Sequence, residues 1–186
     1  MKRLIAALLT SLTLFTLVGC APSSSKADSA APKDYSQIIH DARPAEDNEY
    51  QMIFSTAEGG TFAAQDGYSA DYEADQLKDE ITNMLLPILG IEEGMYTDFA
   101  ASVSAMMIRS YGIAIVKPAE GQTDAVKDAL ESFVLSQQQS MQNYLADQYE
   151  IAMNAKVEVV PSGEVVMVCC KDSDTVLANI KKALAA

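Results

Sequence analysis

Between residues 74 and 89 the apolar side chains Leu77, Ile81, Met84, Leu85 and Ile88 recur every three or four positions, with acidic residues near the start and Gly90 just past the end. That spacing predicts one helix over 74–89. Pro87, which has no amide hydrogen, is expected to bend or end it. Ahead of it the pattern is shorter. Residues 35–40 (YSQIIH) predict a brief helix that stops before Pro44, because proline disfavours helical backbone in the residue ahead of it. Residues 50–55 (YQMIFS) predict a strand, Glu58-Gly59-Gly60-Thr61 a turn leading to Phe62, and residues 97–101 a further helical turn.

The second half of the chain alternates more regularly. Residues 102–108 and 112–117 are rich in branched and apolar side chains and are interrupted by Arg109-Ser110-Tyr111. They predict two strands or one long bent strand. Residues 118–122 then turn the chain into a long helix, with Thr123 as N-cap and Val126, Leu130, Phe133, Met141, Tyr144 and Leu145 as its buried stripe. The run Gln137-Gln138-Gln139 reads as a solvated helical surface. Residues 156–160 and 164–170 flank Pro161-Ser162-Gly163, which has the length and chemistry of a hairpin turn. In the second of these segments Val165, Met167 and Cys169 point one way and Val166, Val168 and Cys170 the other, so it should be an interior strand covered on both faces. Asp172 or Ser173 caps a closing helix whose stripe is Val176, Leu177, Ile180 and Leu184, with Lys181 and Lys182 complementing the helix dipole. The order predicts an α+β domain: a mainly antiparallel sheet with helices packed against it, strand-strand-helix-strand-strand-helix in the C-terminal half.

The N-terminus carries an address. Met1-Lys2-Arg3 is basic, residues 4–16 form an apolar stretch, and Leu17-Val18-Gly19-Cys20 follows directly. This is the pattern of a bacterial lipoprotein signal: small residues precede a cysteine whose thiol takes a diacylglyceryl thioether. The apolar stretch is shorter than the roughly 20 residues a membrane span needs. Residues 1–19 are therefore expected to be removed as a signal peptide and Cys20 to be lipidated. Residues 20–34, rich in Ala, Ser, Pro and Lys, form a flexible tether, and residues 35–186 a single domain. The expected location is the outer face of the cytoplasmic membrane, with the membrane a partner through Cys20.

Charge narrows the other partners. The chain has 26 acidic and 13 basic residues, and loss of Lys2 and Arg3 leaves 11 basic residues and a net charge of −15 from Cys20 onward. An acidic surface argues against nucleic acid, whose phosphates need cations. A histidine-dependent nucleophile has one candidate base, His40, which reads as an ordinary, partly exposed side chain. No serine stands in G-x-S-x-G, and neither G-x-G-x-x-G nor a phosphate-cradling loop occurs. Asp66, Asp71, Glu73, Asp75 and Asp79 are dense, yet the spacing of a calcium loop is missing, so they read as a solvated acidic segment. Cys169 and Cys170 read as two buried thiols, since neighbours on a strand point to opposite faces. Met106, Met107, Tyr144 and Tyr149 read as core and core margin. No catalytic residue, metal ligand or cofactor site is assigned.

The segment from Asp98 to Cys170 resembles a family of Gram-positive lipoproteins catalogued as a domain of unknown function, number 4358. Its matching features are Ser102-Val103-Ser104 leading to Ile113-Ala114-Ile115-Val116-Lys117, then Ala125-Val126 to Leu130 opening a helix. Gln138, Tyr144, Asp147-Gln148-Tyr149, the lead-in Asn154-Ala155-Lys156-Val157 and the Gly163 hairpin follow. Residues 98–186 are thus the family-like core; where many members carry an acidic residue ahead of the Ile-Ala-Ile strand, this chain has Gly112. The resemblance implies lipid anchoring and the α+β fold, and no activity. With the composition it leads to the expectation of a non-enzymatic binding or protein-interaction domain for an envelope protein, peptide or small ligand. The alternative is a carboxylate-based hydrolase of the cell envelope, because 26 carboxylates leave an acid pair open.

Overall fold

In the computed structural model, which describes residues 33–69, 72–104, 106 and 108–186, six strands form one antiparallel sheet. The signal segment 1–19, Cys20 and residues 21–32 of the tether lie outside the described residues, as do Asp71 and Met107. In chain order the strands are β1 (Ile53–Thr56), β2 (Phe62–Gln65), β3 (Tyr96–Val103), β4 (Gly112–Pro118), β5 (Lys156–Val159) and β6 (Val165–Cys169). Across the sheet they run β2-β1-β3-β4-β6-β5. The helices are α1 (Tyr35–Ala42), α2 (Ala45–Tyr50), α3 (Ala74–Glu80), α4 (Leu86–Leu89), α5 (Thr123–Met141), α6 (Ala146–Met153) and α7 (Ser173–Leu184). This is the α+β architecture expected, with an additional helix, α6, before the hairpin.

Strand alternation divides the interior into two cores. Val165 and Met167 of β6 pack into one with Leu77, Ile81 and Leu85 and with Val126, Leu130 and Phe133 of α5. Val166, Val168 and Cys170 pack into the other, with Tyr35 and Ile39 of α1 and Val176, Leu177, Ile180 and Leu184 of α7. Period-two side chains thus meet a helical layer on each face of the sheet. β6 lies between β4 and β5, the interior position its apolar pattern predicts.

The helix read over 74–89 keeps its bounds, but its middle, Ile81–Leu85, winds as a π-helix before the last turn α4. Pro87 falls in that last turn, and Gly90 at φ 69° ends it in the left-handed conformation that favours glycine. At the start of α1, Asp34 Oδ1 accepts a hydrogen bond from the Gln37 amide at 3.0 Å. Lys33 Nζ donates to the carbonyl of Leu184. These two residues, read as the end of the tether, are therefore tied to the domain.

Several local expectations are corrected. Residues 97–101 are not helical; they lie in β3, where Phe99 and Ala101 enter one core and Ala100 the other, and pairing with β4 overrides the local helix preference of alanine. The strand read over 102–108 ends at Val103, and the Ser104 amide donates to the Tyr111 carbonyl at 3.2 Å, closing a loop. In that loop Met106 is 58% exposed and so is not core. β1 starts at Ile53 because the polar stretch before it, Ala45–Tyr50, forms α2. Gln122, not Thr123, holds the N-cap position of α5. The helix ends at Met141, which puts Tyr144 past the buried stripe at 68% exposure.

Candidate functional site

The register of β3, β4 and β6 sets Val103 beside Gly112 and Gly112 beside Cys169, so the loop 104–111 and the turn into α7 emerge at the same end of the sheet. There, with the start of α2 and with Gln148 and Ile151 of α6, they surround a cleft of about 780 Å³. Asp47, Ser110 and Tyr111 are its buried residues, while Met106, Ile108, Lys171, Asp172 and Glu46 are exposed along it.

Arg109 is the hinge of its electrostatics. Its Nη2 donates to Asp47 Oδ1 at 2.7 Å, and its guanidinium carbon stands 4.9 Å from the centroid of the Tyr111 ring. A guanidinium stacked on an aromatic ring and held by one carboxylate keeps its remaining N–H groups available. Beside it the Ser110 amide donates to Gln148 Oε1 at 2.9 Å, which ties the loop to α6. The Ser110 hydroxyl oxygen is buried and has no hydrogen-bond partner.

Behind the cleft a second arginine locks the wall. The Arg43 side chain has no solvent exposure. Its Nε donates to Asn48 Oδ1 at 2.6 Å, and its Nη1 to Ser102 Oγ at 2.8 Å and to the Tyr111 hydroxyl oxygen at 3.0 Å. Nη2 donates to the Gln51 carbonyl at 2.7 Å and to Asp66 Oδ2 at 2.9 Å. Burial pushes the Tyr111 phenol up to about 12, against the opposing pull of Arg43. Tyr111 thus presents its ring to Arg109 and its hydroxyl to Arg43, and connects the cleft to the scaffold.

His40 lies in α1 with Nδ1 2.8 Å from Asp66 Oδ2, and it is not among the residues lining the cleft. Asp66, first in the acidic segment, spends its carboxylate on Arg43 and His40. Among the described residues no group of three or more His, Cys, Asp or Glu is placed to hold a metal ion. Cys169 and Cys170 are free and buried, as read from the strand pattern, and burial pushes both thiols up to about 12. Gln138 is half-buried, and its Nε2 donates to the Ala152 carbonyl at 3.1 Å, so one of the three glutamines joins α5 to α6 instead of facing solvent. Cys20, the single site residue assigned from sequence, lies outside the described residues.

Asp47, Arg109, Ser110 and Lys171 were invisible as a site in the sequence because four separate segments carry the cleft. The one signal was the polar triplet Arg109-Ser110-Tyr111 breaking an apolar run.

A family model described as "Domain of unknown function (DUF4358)" matches residues 68–170, a span that takes in β3 to β6, Arg109 and Ser110. No curated protein and no solved structure matches the chain.

Proposed function

The chain belongs to the DUF4358 family, a domain of unknown function, and from that premise we propose that it is a non-enzymatic binding domain held at the outer face of the cytoplasmic membrane by a lipid on Cys20. Its ligand is taken in the cleft beside Arg109. The observation that carries this reading is the Ser110 hydroxyl, buried in a cleft wall without a partner. Buried polar groups are nearly always paired, and one left unpaired costs about 1–3 kcal/mol. Such a cost is compensated when a ligand supplies the missing bond.

The rest of the cleft supports binding over hydrolysis. Asp47, its buried carboxylate, is engaged by Arg109 at 2.7 Å, so it orients a cation at the cleft. Met106 and Ile108 add apolar surface at the rim, at 58% and 56% exposure. The anchor rests on the sequence pattern ending at Cys20; two or more acyl chains give stable membrane attachment.

Two measurements test the reading. Cys20→Ser should move the protein from the membrane fraction to the soluble extracellular fraction, and equal partitioning of the two forms would remove the anchor. A photo-crosslinking amino acid placed at Ile108 in living cells should give a discrete adduct, whereas the same group at the exposed Leu135 of α5 should not. Identical patterns from both positions, or no adduct from either, would remove the cleft.

A further inference from the structure

Resting on that reading of the cleft, we infer that its ligand is a short peptide with free termini, whose carboxylate is received by Arg109, Ser110 and Lys171 and whose ammonium faces Glu46 and Asp172. The donors come first. Arg109 commits one N–H direction to Asp47 and is braced by the Tyr111 ring, which leaves the rest of its planar fork for a second carboxylate. The Ser110 hydroxyl is buried and unpaired. Lys171 lines the same cleft and makes no salt bridge among the described residues. Two cations and a hydroxyl donor around one opening match a carboxylate.

The acceptors favour a ligand that also carries a cation. Glu46 and Asp172 line the cleft, are exposed, and make no salt bridge among the described residues. They repel a polyanion and attract an ammonium. The chain's net charge of −13 opposes the approach of any net anion at long range and leaves a zwitterion unaffected. Met106, Ile108 and Ile151 also line the cleft and supply apolar surface for aliphatic side chains. A volume of about 780 Å³ is in the range of small-ligand clefts and suits a peptide of a few residues.

The test is a nuclear magnetic resonance titration of the isotope-labelled full chain in detergent micelles with trileucine, N-acetyl-trileucine and trileucine amide. Trileucine should give saturable shifts at the Ser110 and Gln148 amides, and blocking either terminus should weaken binding about tenfold or more. Lys171→Gln should weaken trileucine while leaving the amide unchanged. Ser110→Ala should leave the melting temperature the same or higher, because it deletes an unpaired hydroxyl, and still weaken trileucine about tenfold. Equal binding of the acid and the amide, or no saturable shift at millimolar trileucine, would overturn the inference. If trileucine fails while the Ile108 crosslink persists in cells, the cleft stands and the peptide-terminus chemistry is wrong. If both fail, the cleft itself is wrong.

Discussion

The Phe133 ring occupies the space that a side chain at position 112 would need: a Cβ built on Gly112 would lie 2.7 Å from Phe133 Cε1 and 3.1 Å from Met167 Cε. Gly112 opens β4, between Val103 of β3 and Cys169 of β6, where the backbone has no room to withdraw. Gly112→Ala should therefore destabilise the protein by about 1–3 kcal/mol, the usual cost of overpacking a core. Phe133→Leu in the same chain should restore part of the loss. Urea unfolding of the two single variants and the double variant measures this coupling, and additive effects would disprove the contact.

Arg43 fastens the N-terminal segment to the sheet. One buried guanidinium holds Asn48 and the Gln51 carbonyl at the end of α2, Asp66, Ser102 and Tyr111, which come from four separate places in the chain. Arg43→Met should cost about 3–5 kcal/mol, because it leaves the Asp66 carboxylate, only 10% exposed, without its main cation. Adding Asp66→Asn should recover a measurable share. Thermal melts of the single and double variants decide it; a double variant as unstable as the sum of the two would contradict the pairing.

The extent to which this architecture was legible follows from where the determining contacts lie. The stripes of α7 and α5, the 74–89 helix and the β5–β6 hairpin are local patterns, and short-range periodicity identifies them. β3 was misread at residues 97–101 because Phe99-Ala100-Ala101 suits a helix locally and becomes a strand only through its pairing with β4. α2 was missed because AEDNEY has one large apolar residue and no stripe; the Asp47–Arg109 ion pair across the loop is a tertiary contact. The cleft was illegible for the same reason, as its charged residues at 46–47, 109 and 171–172 meet only after the sheet has formed.

The Asp47–Arg109 pair should respond asymmetrically to truncation. Asp47 is 8% exposed and Arg109 is 37% exposed at the side chain. Arg109→Ala strands a buried carboxylate and removes the packing on Tyr111, at a cost of about 1–3 kcal/mol. Asp47→Ala leaves a guanidinium that water can still reach, at a cost of about 1 kcal/mol or less. Equal losses in urea unfolding would mean that the pair behaves as a solvent-exposed bridge.

Alkaline pH should unfold the domain through groups that burial keeps protonated. Cys169 and Cys170 have ordinary values near 9 and are pushed up to about 12 by burial, and Tyr111 moves the same way from 10 to about 12. Burial also raises Tyr35, with the nearby Glu164 adding to the shift. Because the folded values exceed the unfolded ones, the folded state binds more protons in this range. The stabilisation is therefore complete below pH 9 and is lost as pH rises towards 12. Each group contributes up to about 1.4 kcal/mol of lost stability per pH unit between its two values. Urea midpoints should hold steady up to about pH 8 and fall progressively to about pH 11. Cys169→Ala should flatten the first part of that fall only in part, since Cys170, with the same ordinary and raised values, still contributes. Thiol reagents should fail to label Cys169 and Cys170 until the urea transition, because both are buried in the folded chain. Labelling in the native state at neutral pH, or midpoints that stay flat to pH 11, would place these groups in contact with water and remove burial as the cause.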